Sequence, residues 1–512
     1  MSLHKIWKVV FGRVVFTLLC ILIQILWMVS LWTAFSEYSV LCTVILEAIA
    51  VVVVIRINSR SEYSAARLLW TAVILAFPAF GLCLYSMFGR RGITRTVKRR
   101  YDQVHRTFIP HLLPKEDGLA ELKVRNIYIH NQLKYIQDTS TFPVYQNTSV
   151  KYFPLADNAL VSMLEDLRSA KEFIFMEYFA IEDAESWHMI EEILLEKIAQ
   201  GVEVRLIYDD FGSIAFVKPE FMKRMNKKGI KCRIFNPLVP FVYAFMNHRD
   251  HRKIMVIDNK ISYSGGFNMA DEYFNIDSPY GHWKDSGIRM EGDGVKSHTI
   301  MFLQMWNNIL QTDKDYTPFL KPYSHVAEGA EGYVLPYSDT PLDNNTLGEN
   351  VYMNIIKNAT DYVYITTPYL ILDTEMEKEL CMAAQRGIDV RIITPNIPDK
   401  KAIFLLTQSY YNKLIRSGVR IYQYTPGFMH AKNYVCDDKI GVVGTINMDY
   451  RSLYLHFECA TYLYDMEAVL DIKKDFKETL LKCREITLED CARRKLHTRI
   501  YQAILRLIAP MV

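Results

Sequence analysis

One short motif occurs twice in this chain, and the repetition decides the fold. The first copy is His251-Arg-Lys-Ile-Met-Val-Ile-Asp258 followed by Gly265-Gly266-Phe-Asn268, and the second is His430-Ala-Lys-Asn-Tyr-Val-Cys-Asp437 followed by Gly444-Thr445-Ile-Asn447. Histidine, lysine, aspartate and asparagine keep successive spacings of 2, 5 and 10 residues in both copies. One such string can arise by chance, but two matched copies indicate a duplicated unit.

The surroundings of the motif repeat as well. The matching strand-like runs are 173–179 with 362–368, 201–208 with 387–394, and 229–234 with 418–422. Helical patterns at 189–199 and 376–386 precede the middle pair of runs. Alternating helices and β-branched strands are typical of βαβ crossovers. The sequence therefore predicts an α/β fold of two pseudo-twofold-related lobes with mixed, mostly parallel sheets.

The motif residues suit phosphodiester chemistry. Two residues apart on a strand, histidine and lysine point to the same face and can address one phosphate. If the lobes pack about a pseudo-twofold axis, His251 and His430 face each other across one phosphorus atom, with two lysines and two asparagines on its oxygens. One imidazole can then attack while the other protonates the departing alkoxide, so neither a metal nor another cofactor is expected. The predicted catalytic set is His251, Lys253, Asp258, His430, Lys432 and Asp437, with Asn268 and Asn447 on the phosphate. Asp258 and Asp437 are expected to anchor turns rather than to touch the substrate.

Each histidine also needs a carboxylate that fixes its tautomer. Glu458 lies 28 residues after His430 and is the candidate in the second repeat. Asp285 lies 34 residues after His251 and is the candidate in the first. Glu177, at the end of a predicted strand, is expected either to line the site or to pack.

The charge distribution argues against nucleic acid as the main partner. The formal net charge is +3, but residues 1–113 hold 13 lysines and arginines against four acids, so the remainder of the chain is mildly acidic. Proteins that bind the phosphate backbone usually carry a basic excess across the binding domain.

The front of the chain is apolar enough to enter a membrane. Residues 14–33 and 68–88 contain no charged side chain, and residues 38–55 contain one, Glu47, near the middle. A helix needs about 20 apolar residues to cross the hydrocarbon core. The sequence predicts two or three transmembrane helices within 1–113. Because the largest basic cluster follows the third segment, the rest of the chain is expected on the cytoplasmic side.

The doubled motif, with its trailing glycine and asparagine, resembles the phospholipase D superfamily. Further stretches are similar to bacterial cardiolipin synthases: the front segment 64–89, Gly266-Phe-Asn-Met-Ala-Asp-Glu-Tyr273, Asn447-Met-Asp-Tyr-Arg-Ser452 and Arg506-Leu-Ile-Ala-Pro510. Two features differ. The chain has three hydrophobic segments where two are common, and Gly266 and Thr445 stand where many superfamily members carry serine.

The resemblance implies a multi-pass bacterial membrane enzyme that joins two phosphatidylglycerol molecules into cardiolipin and glycerol. It also implies a phosphatidyl-histidine intermediate, with His251 as the nucleophile and His430 as acid and then base. Three alternatives stay open: a membrane-anchored phospholipase D that releases phosphatidic acid, a nuclease, and a scaffold that binds anionic lipid. The sequence does not indicate the oligomeric state.

Four parts of the chain follow from these patterns. They are a membrane segment at 1–113, a first phospholipase D-like lobe at 114–325, a second at 326–490, and a basic amphipathic helix at 491–512. Apolar residues at helical spacing alternate with arginine and lysine in the last part. This helix is expected either to lie on anionic lipid or to dock against the lobes.

Overall fold

The computed structural model describes most of the chain. The described residues are 40–59, 64–86, 95–112, 119–238, 247–343 and 345–511, together with isolated helical positions between 22 and 33. Most of the first predicted membrane segment, 14–33, therefore lies outside the described residues.

Helices make up the described front part. They are α1 (Val40–Asn58), α2 (Ser64–Ala76), α3 (Pro78–Leu84), α4 (Arg95–Leu112), α5 (Ala120–Arg125) and α6 (Ile127–Ser140). The predicted segment 68–88 is interrupted, because Phe77 leaves the helical conformation and Pro78 starts α3; proline disfavours helical backbone at the residue before it. Within the described ranges, no helix has the length and apolar character that a membrane crossing requires.

The first repeat is an α/β unit built on a seven-stranded sheet. Its elements are β1 (Thr148–Phe153), α7 (Ala156–Ser169), β2 (Phe173–Tyr178), α8 (Glu185–Ala199), β3 (Glu203–Asp209), α9 (Asp210–Ser213), α10 (Phe221–Lys227), β4 (Lys231–Phe235), β5 (Lys253–Ile257), β6 (Ile261–Gly265), β7 (His282–Lys284), β8 (Gly287–Gly292) and α11 (Val295–Ile309), with short 3-10 turns at Asp271–Phe274 and Thr317–Phe319. The strand order is β1-β8-β6-β5-β2-β3-β4.

The second repeat follows the same plan. Its elements are β9 (Tyr333–Asp339), α12 (Leu347–Asn358), β10 (Tyr362–Thr366), α13 (Thr374–Gln385), β11 (Asp389–Pro395), α14 (Lys401–Arg416), β12 (Arg420–Tyr424), β13 (Gly427–Met429), β14 (Asn433–Cys436), β15 (Ile440–Gly444), α15 (Tyr450–Tyr454), β16 (Glu458–Tyr464), α16 (Glu467–Leu480) and β17 (Cys483–Ile486). Its large sheet contains eight of these strands, without β13, in the order β17-β12-β11-β10-β14-β15-β16-β9. Reading from β9 to β12, this order matches β1 to β4 of the first repeat.

The predicted α/β class and the mixed sheets are found, but the expectation that they are mostly parallel is wrong. In the two large sheets, as far as the structure describes the chain, only β2, β3 and β4, and likewise β10, β11 and β12, pair in parallel. The remaining pairs within the two large sheets are antiparallel. Helical crossovers join the parallel strands, whereas short hairpin turns, which permit only antiparallel pairing, join β5 to β6 and β14 to β15.

The two repeats are tied together. Strand β7 of the first repeat pairs in parallel with β13 of the second, from Gly427 with His282 to Met429 with Lys284. Helix α6 precedes the first repeat in the chain but packs against β9 and α12 of the second. The chain closes with α17 (Leu488–Ala492), α18 (Leu496–Ile508) and a 3-10 turn at Ala509–Met511. Helix α18 packs on α14.

The motif aspartates anchor turns, as their place in the sequence suggested. Asp258 and Asp437 both have φ near +50° (53° and 52°), which hairpin turns of the primed type require. The Asp258 carboxylate accepts the backbone N–H groups of residues 171–173, at the start of β2. The Asp437 carboxylate accepts those of residues 360–362, at the start of β10. Each aspartate lies at the end of its strand that is remote from the motif histidine.

Replacing Asp437 with asparagine should lower stability, because backbone N–H groups would lose a charged acceptor. Such bonds contribute about 1.5–3 kcal/mol when one partner is charged. Burial raises the pKa of Asp437, but the hydrogen bonds from residues 360–362 outweigh this and hold the pKa below its usual value. The stabilisation is therefore present at neutral pH and is lost as pH falls through the lowered pKa.

Thermal unfolding of the full chain in detergent micelles measures this effect. Asp437→Asn should unfold at a lower temperature at pH 7, and the difference from the wild type should shrink at acidic pH. Asp361→Asn removes an exposed charge beside the same turn and serves as the control. Equal unfolding temperatures for Asp437→Asn and wild type at pH 7 would contradict the assigned role.

Candidate active site

The two motif histidines occupy equivalent places, and the opposite repeat holds each of them. His251 lies just before β5, and His430 lies between β13 and β14. The backbone N–H of His251 donates to the carbonyl of Phe457 at 2.9 Å, and that of His430 donates to the carbonyl of Lys284 at 2.8 Å. Main-chain bonds therefore position each histidine against a strand of the other half.

The side chains continue this crosswise arrangement. His251 Nδ1 lies 2.9 and 3.0 Å from the two carboxylate oxygens of Glu458, and His430 Nδ1 lies 2.6 Å from Asp285 Oδ2. Sequence spacing assigned each acid to the histidine of its own repeat, and this pairing is wrong. Phe457 and Lys284 immediately precede the two acids, so the main-chain bonds carry each acid to the opposite histidine. Nδ1 is engaged by a carboxylate in both rings, so Nε2 is the nitrogen that can face a substrate; in His430 it has Lys432 Nζ beside it at 3.0 Å.

The two lysines complete a buried cluster of charges. Lys253 Nζ donates to the carbonyl of His251 at 2.6 Å, and Lys432 Nζ lies 3.0 Å from His430 Nε2. Burial lowers the pKa of Lys253 to about 8 and that of Lys432 to about 7, while the carboxylates of both repeats, Glu458 and Asp285, oppose this shift for each lysine. Because both carboxylates act on both lysines, the two halves of the motif form one electrostatic unit.

The two histidine–carboxylate pairs differ in protonation. Burial raises the pKa of Asp285, but His430 and Lys432 outweigh it and leave the pKa below its usual value. Burial raises the pKa of Glu458 well above its usual value, and it lowers the pKa of His251 well below. Asp285 is thus a carboxylate at neutral pH. Burial and the charge of Lys432 lower the pKa of His430 to about 4, although Asp285 opposes this shift, so both imidazoles are neutral at neutral pH and the two pairs differ in the charge of their acids.

The two motif asparagines differ in their hydrogen bonds. Asn268 accepts the backbone N–H of Ala180 at 3.1 Å, and its Nδ2 donates to the hydroxyl of Tyr273 at 2.7 Å. A phosphate oxygen would therefore compete with Tyr273 for this amide. Asn447 is buried, and its Oδ1 has no hydrogen-bond partner among the described atoms. Rotating the Asn447 amide by half a turn would present Nδ2 there as a donor.

Gly266 and Thr445, the two departures from the superfamily pattern, each contact an orienting acid. The hydroxyl of Thr445 donates to Glu458. At Gly266 a β-carbon would lie only 2.1 Å from Asp285 Oδ1, so no larger residue fits without moving the acid. Ser286 N–H donates to this oxygen instead, at 2.9 Å.

Sequence reasoning missed a third histidine. His456 packs with its ring centroid 5.5 Å from that of His251, and its Nδ1 lies 3.7 Å from Glu458 Oε1. The signal was present, since residues 456 and 458 are two apart in a strand-like run and share a face. Glu177, which was expected either to line the site or to pack, forms a buried ion pair with Arg252 at 2.6 Å. This contact agrees with a packing role.

Within the described part of the chain, one group of side chains could hold a cation. Donor atoms of His251, His456 and Glu458 lie within 4.8 Å of one another. The ammonium group of Lys253 acts on the same residues, and a cation would be repelled by it. The cluster is better suited to an anion such as a phosphodiester, which two lysines would attract.

Two family models and several known proteins match this chain. A family model described as "Cardiolipin synthase, PLD-like domain" matches residues 163–281 and 352–480, and one described as "Phospholipase_D-nuclease N-terminal" matches residues 45–90. An uncharacterised protein of Streptococcus mutans is 45% identical over 89% of this chain and 98% of its own length. A cardiolipin synthase of Oceanobacillus iheyensis is 33% identical over 86% of this chain and 93% of its own length.

A solved structure shares the fold. The crystal structure of phosphatidylserine synthase from Haemophilus influenzae matches with a TM-score of 0.56 at 15% sequence identity, covering 74% of this chain and 98% of that one.

The lowered lysine pKa values predict that affinity for a phosphate-like anion depends on pH. Lys253 and Lys432 are charged below about 8 and 7, so the binding of tungstate should weaken between pH 6.5 and pH 9. Tungstate keeps its own charge over this range, and titration calorimetry measures its affinity. Loss of one ammonium charge should cost about tenfold in affinity or more.

Two variants serve as controls for this measurement. Lys253→Met and Lys432→Met should each weaken tungstate binding at pH 6.5 and flatten its pH dependence. Lys314→Met, which removes an exposed lysine outside the doubled motif, should behave as the wild type. An affinity that stays constant from pH 6.5 to 9 in the wild type would contradict the lysine assignment.

Proposed function

Because the chain belongs to the family of bacterial cardiolipin synthases with phospholipase D-like domains, and is thus a phosphatidyltransferase, we propose that it makes cardiolipin from two molecules of phosphatidylglycerol and releases glycerol. The observation that carries the proposal is the crosswise pairing of His251 with Glu458 and of His430 with Asp285. This pairing supports a single site in which two Nε2 atoms act on one phosphorus. The relatives named cardiolipin synthase supply the substrate class.

In the first step, Nε2 of His251 attacks the phosphorus of one phosphatidylglycerol. The N–P bond forms as the bond from phosphorus to the glycerol oxygen breaks, and His430 gives its Nε2 proton to that oxygen, so glycerol leaves. The protonation difference between the two pairs supports these roles. A neutral imidazole is nucleophilic. The general acid must be an imidazolium, and because burial and Lys432 lower the pKa of His430 to about 4 in the free site, its protonation depends on the carboxylate of Asp285 and on the negative charge of the bound phosphodiester.

In the second step, a hydroxyl of the second phosphatidylglycerol attacks the phosphatidyl-histidine. His430 now takes the hydroxyl proton, the N–P bond breaks, and His251 is restored. Lys253 and Lys432 donate to the phosphoryl oxygens as negative charge develops on them, and we assign Asn268 and Asn447 to the same task. One phosphodiester is exchanged for another, so the reaction needs no external energy source.

We also propose that the enzyme works at the bacterial cell membrane with both lobes on the cytoplasmic side, and that the chain divides at residues 113, 325 and 490. The family model for the N-terminal segment matches 45–90, and the dense basic group at 90–100 supports this orientation. In this arrangement the substrates are lipids of the membrane itself.

Hydrolysis is the second candidate reaction. The buried histidines would serve equally if water replaced the second lipid alcohol, which would yield phosphatidic acid. Only the identity of the acceptor separates the two reactions.

Incubating the purified full chain with phosphatidylglycerol and identifying the lipids by mass spectrometry tests the proposal. Cardiolipin with one equivalent of glycerol is expected, and His251→Asn and His430→Asn should each lower the rate by about 10³-fold or more, as loss of a nucleophile or a base does. Phosphatidic acid as the main product would refute the synthase assignment.

An activated substrate tests which histidine attacks. A phosphatidyl ester of p-nitrophenol has a leaving group that needs no protonation, so His430→Asn should release about one equivalent of nitrophenolate in a burst and retain the phosphatidyl group on His251. His251→Asn should give no burst. A burst in His251→Asn, or peptide mapping that finds the phosphatidyl group on His430, would reverse the assigned roles.

A further inference from the structure

The C-terminal helix α18 presents an apolar face that points away from the rest of the protein. Its outward face is formed by Leu496, Ile500, Tyr501, Ile504, Leu507 and Ile508, all of them exposed. Leu496 and Leu507 are 72% and 69% exposed. The inward face is short and partly polar, with only Gln502 and Leu505 buried in the helix. An amphipathic helix that served only to complete the core would turn its larger apolar face inward.

Specific contacts fix the helix in this orientation. Gln502 Nε2 donates to the carbonyl of Leu405 at 3.0 Å, in the middle of α14. Just before α18, the guanidinium of Arg494 donates to the carbonyl of Gln408 at 2.7 Å and lies over the ring of Tyr411. Rotating the helix to bury its apolar face would break these bonds. The contacts with α14 therefore keep the apolar face directed outward.

The neighbourhood of the helix is apolar and basic. The 3-10 turn that ends the helix packs against α2, where Leu68 and Leu75 are also exposed. The end of α18 therefore lies beside a front helix that also exposes apolar side chains. Exposed Lys495 and Arg499 lie at the start of the helix, a position from which they can reach anionic headgroups.

We propose that α18 is an interfacial membrane helix, which lies in the surface of a bilayer containing anionic lipid, with its apolar face buried at the boundary of headgroups and acyl chains. The helix is 13 residues long, too short to cross a bilayer but sufficient to lie in its surface. It gives the second repeat its own contact with the membrane, in addition to any made by the front of the chain. The inference does not depend on which lipid reaction the site performs.

Tryptophan quenching by brominated lipid tests the proposal on the full chain reconstituted in vesicles. Ile504→Trp places an indole in the outward face, and Val326→Trp places one at an exposed apolar position in the segment that joins the repeats. Both variants keep the seven native tryptophans, so the difference from wild type reports the added indole. Quenching of the added indole is expected for Ile504→Trp and not for Val326→Trp, and it should weaken when phosphatidylglycerol in the vesicles is replaced by phosphatidylcholine.

A second measurement compares activity on vesicle lipid with activity on monomeric lipid. The double variant Ile500→Asp, Leu507→Asp should lose about fivefold or more in activity on vesicle lipid, because two charges now enter the interface. Its activity on a monomeric short-chain phosphatidylglycerol should stay within about twofold of wild type. Val326→Asp should change neither activity. Failure of the proposed reaction itself would remove both activities from wild type and leave the quenching result intact.

Two outcomes would overturn the proposal. One is an added indole at position 504 that brominated lipid does not quench more than the control at 326. The other is a wild type that forms dimers in detergent and an Ile500→Asp, Leu507→Asp variant that is monomeric, since a second copy of the chain would then cover the face.

Discussion

The crosswise hydrogen bonds between histidine and carboxylate are the interactions on which the site depends. Each imidazole is held through Nδ1 by an acid of the other repeat, at 2.6 Å for His430 and 2.9 Å for His251. Each repeat depends on the other for the carboxylate that orients its histidine. One repeat alone therefore contains no complete histidine–carboxylate pair. The crosswise bonds therefore make the two repeats interdependent.

The two repeats share the same main-chain hydrogen bonds at the site but differ in the pKa values of their orienting acids. The bonds from His251 to Phe457 and from His430 to Lys284 repeat one pattern, yet Thr445 donates to one acid while Gly266 leaves room for the other. These small differences and the different surroundings push the pKa of Glu458 up and that of Asp285 down. The two equivalent positions therefore differ in the charge of their acids, and the proposed division between attack and proton transfer relies on this difference.

Much of this arrangement could be predicted from the sequence, for physical reasons that differ between parts. The strands at 173–178 and 362–366 could be predicted because their largely apolar composition is a local property of the sequence. The motif histidines could be identified because the motif occurs twice. The pairing of the acids could not be predicted, because it depends on which strand lies across the interface rather than on spacing along the chain. The share of antiparallel pairs was also missed, since crossover helices dominate the pattern while the hairpin turns at Asp258 and Asp437 occupy few residues. His456 is the opposite case. Its place two residues before Glu458 was visible in the sequence, but it is not part of the repeated motif and was therefore missed.

An experimental structure of the full chain with bound tungstate would test the central claim most directly. The anomalous signal of tungsten should place the ion between the Nε2 atoms of His251 and His430, in contact with both, with Lys253 and Lys432 on its oxygens. Tungstate bound to one histidine while the other ring points elsewhere, or an ion bound outside the cluster, would contradict a site shared by the two repeats.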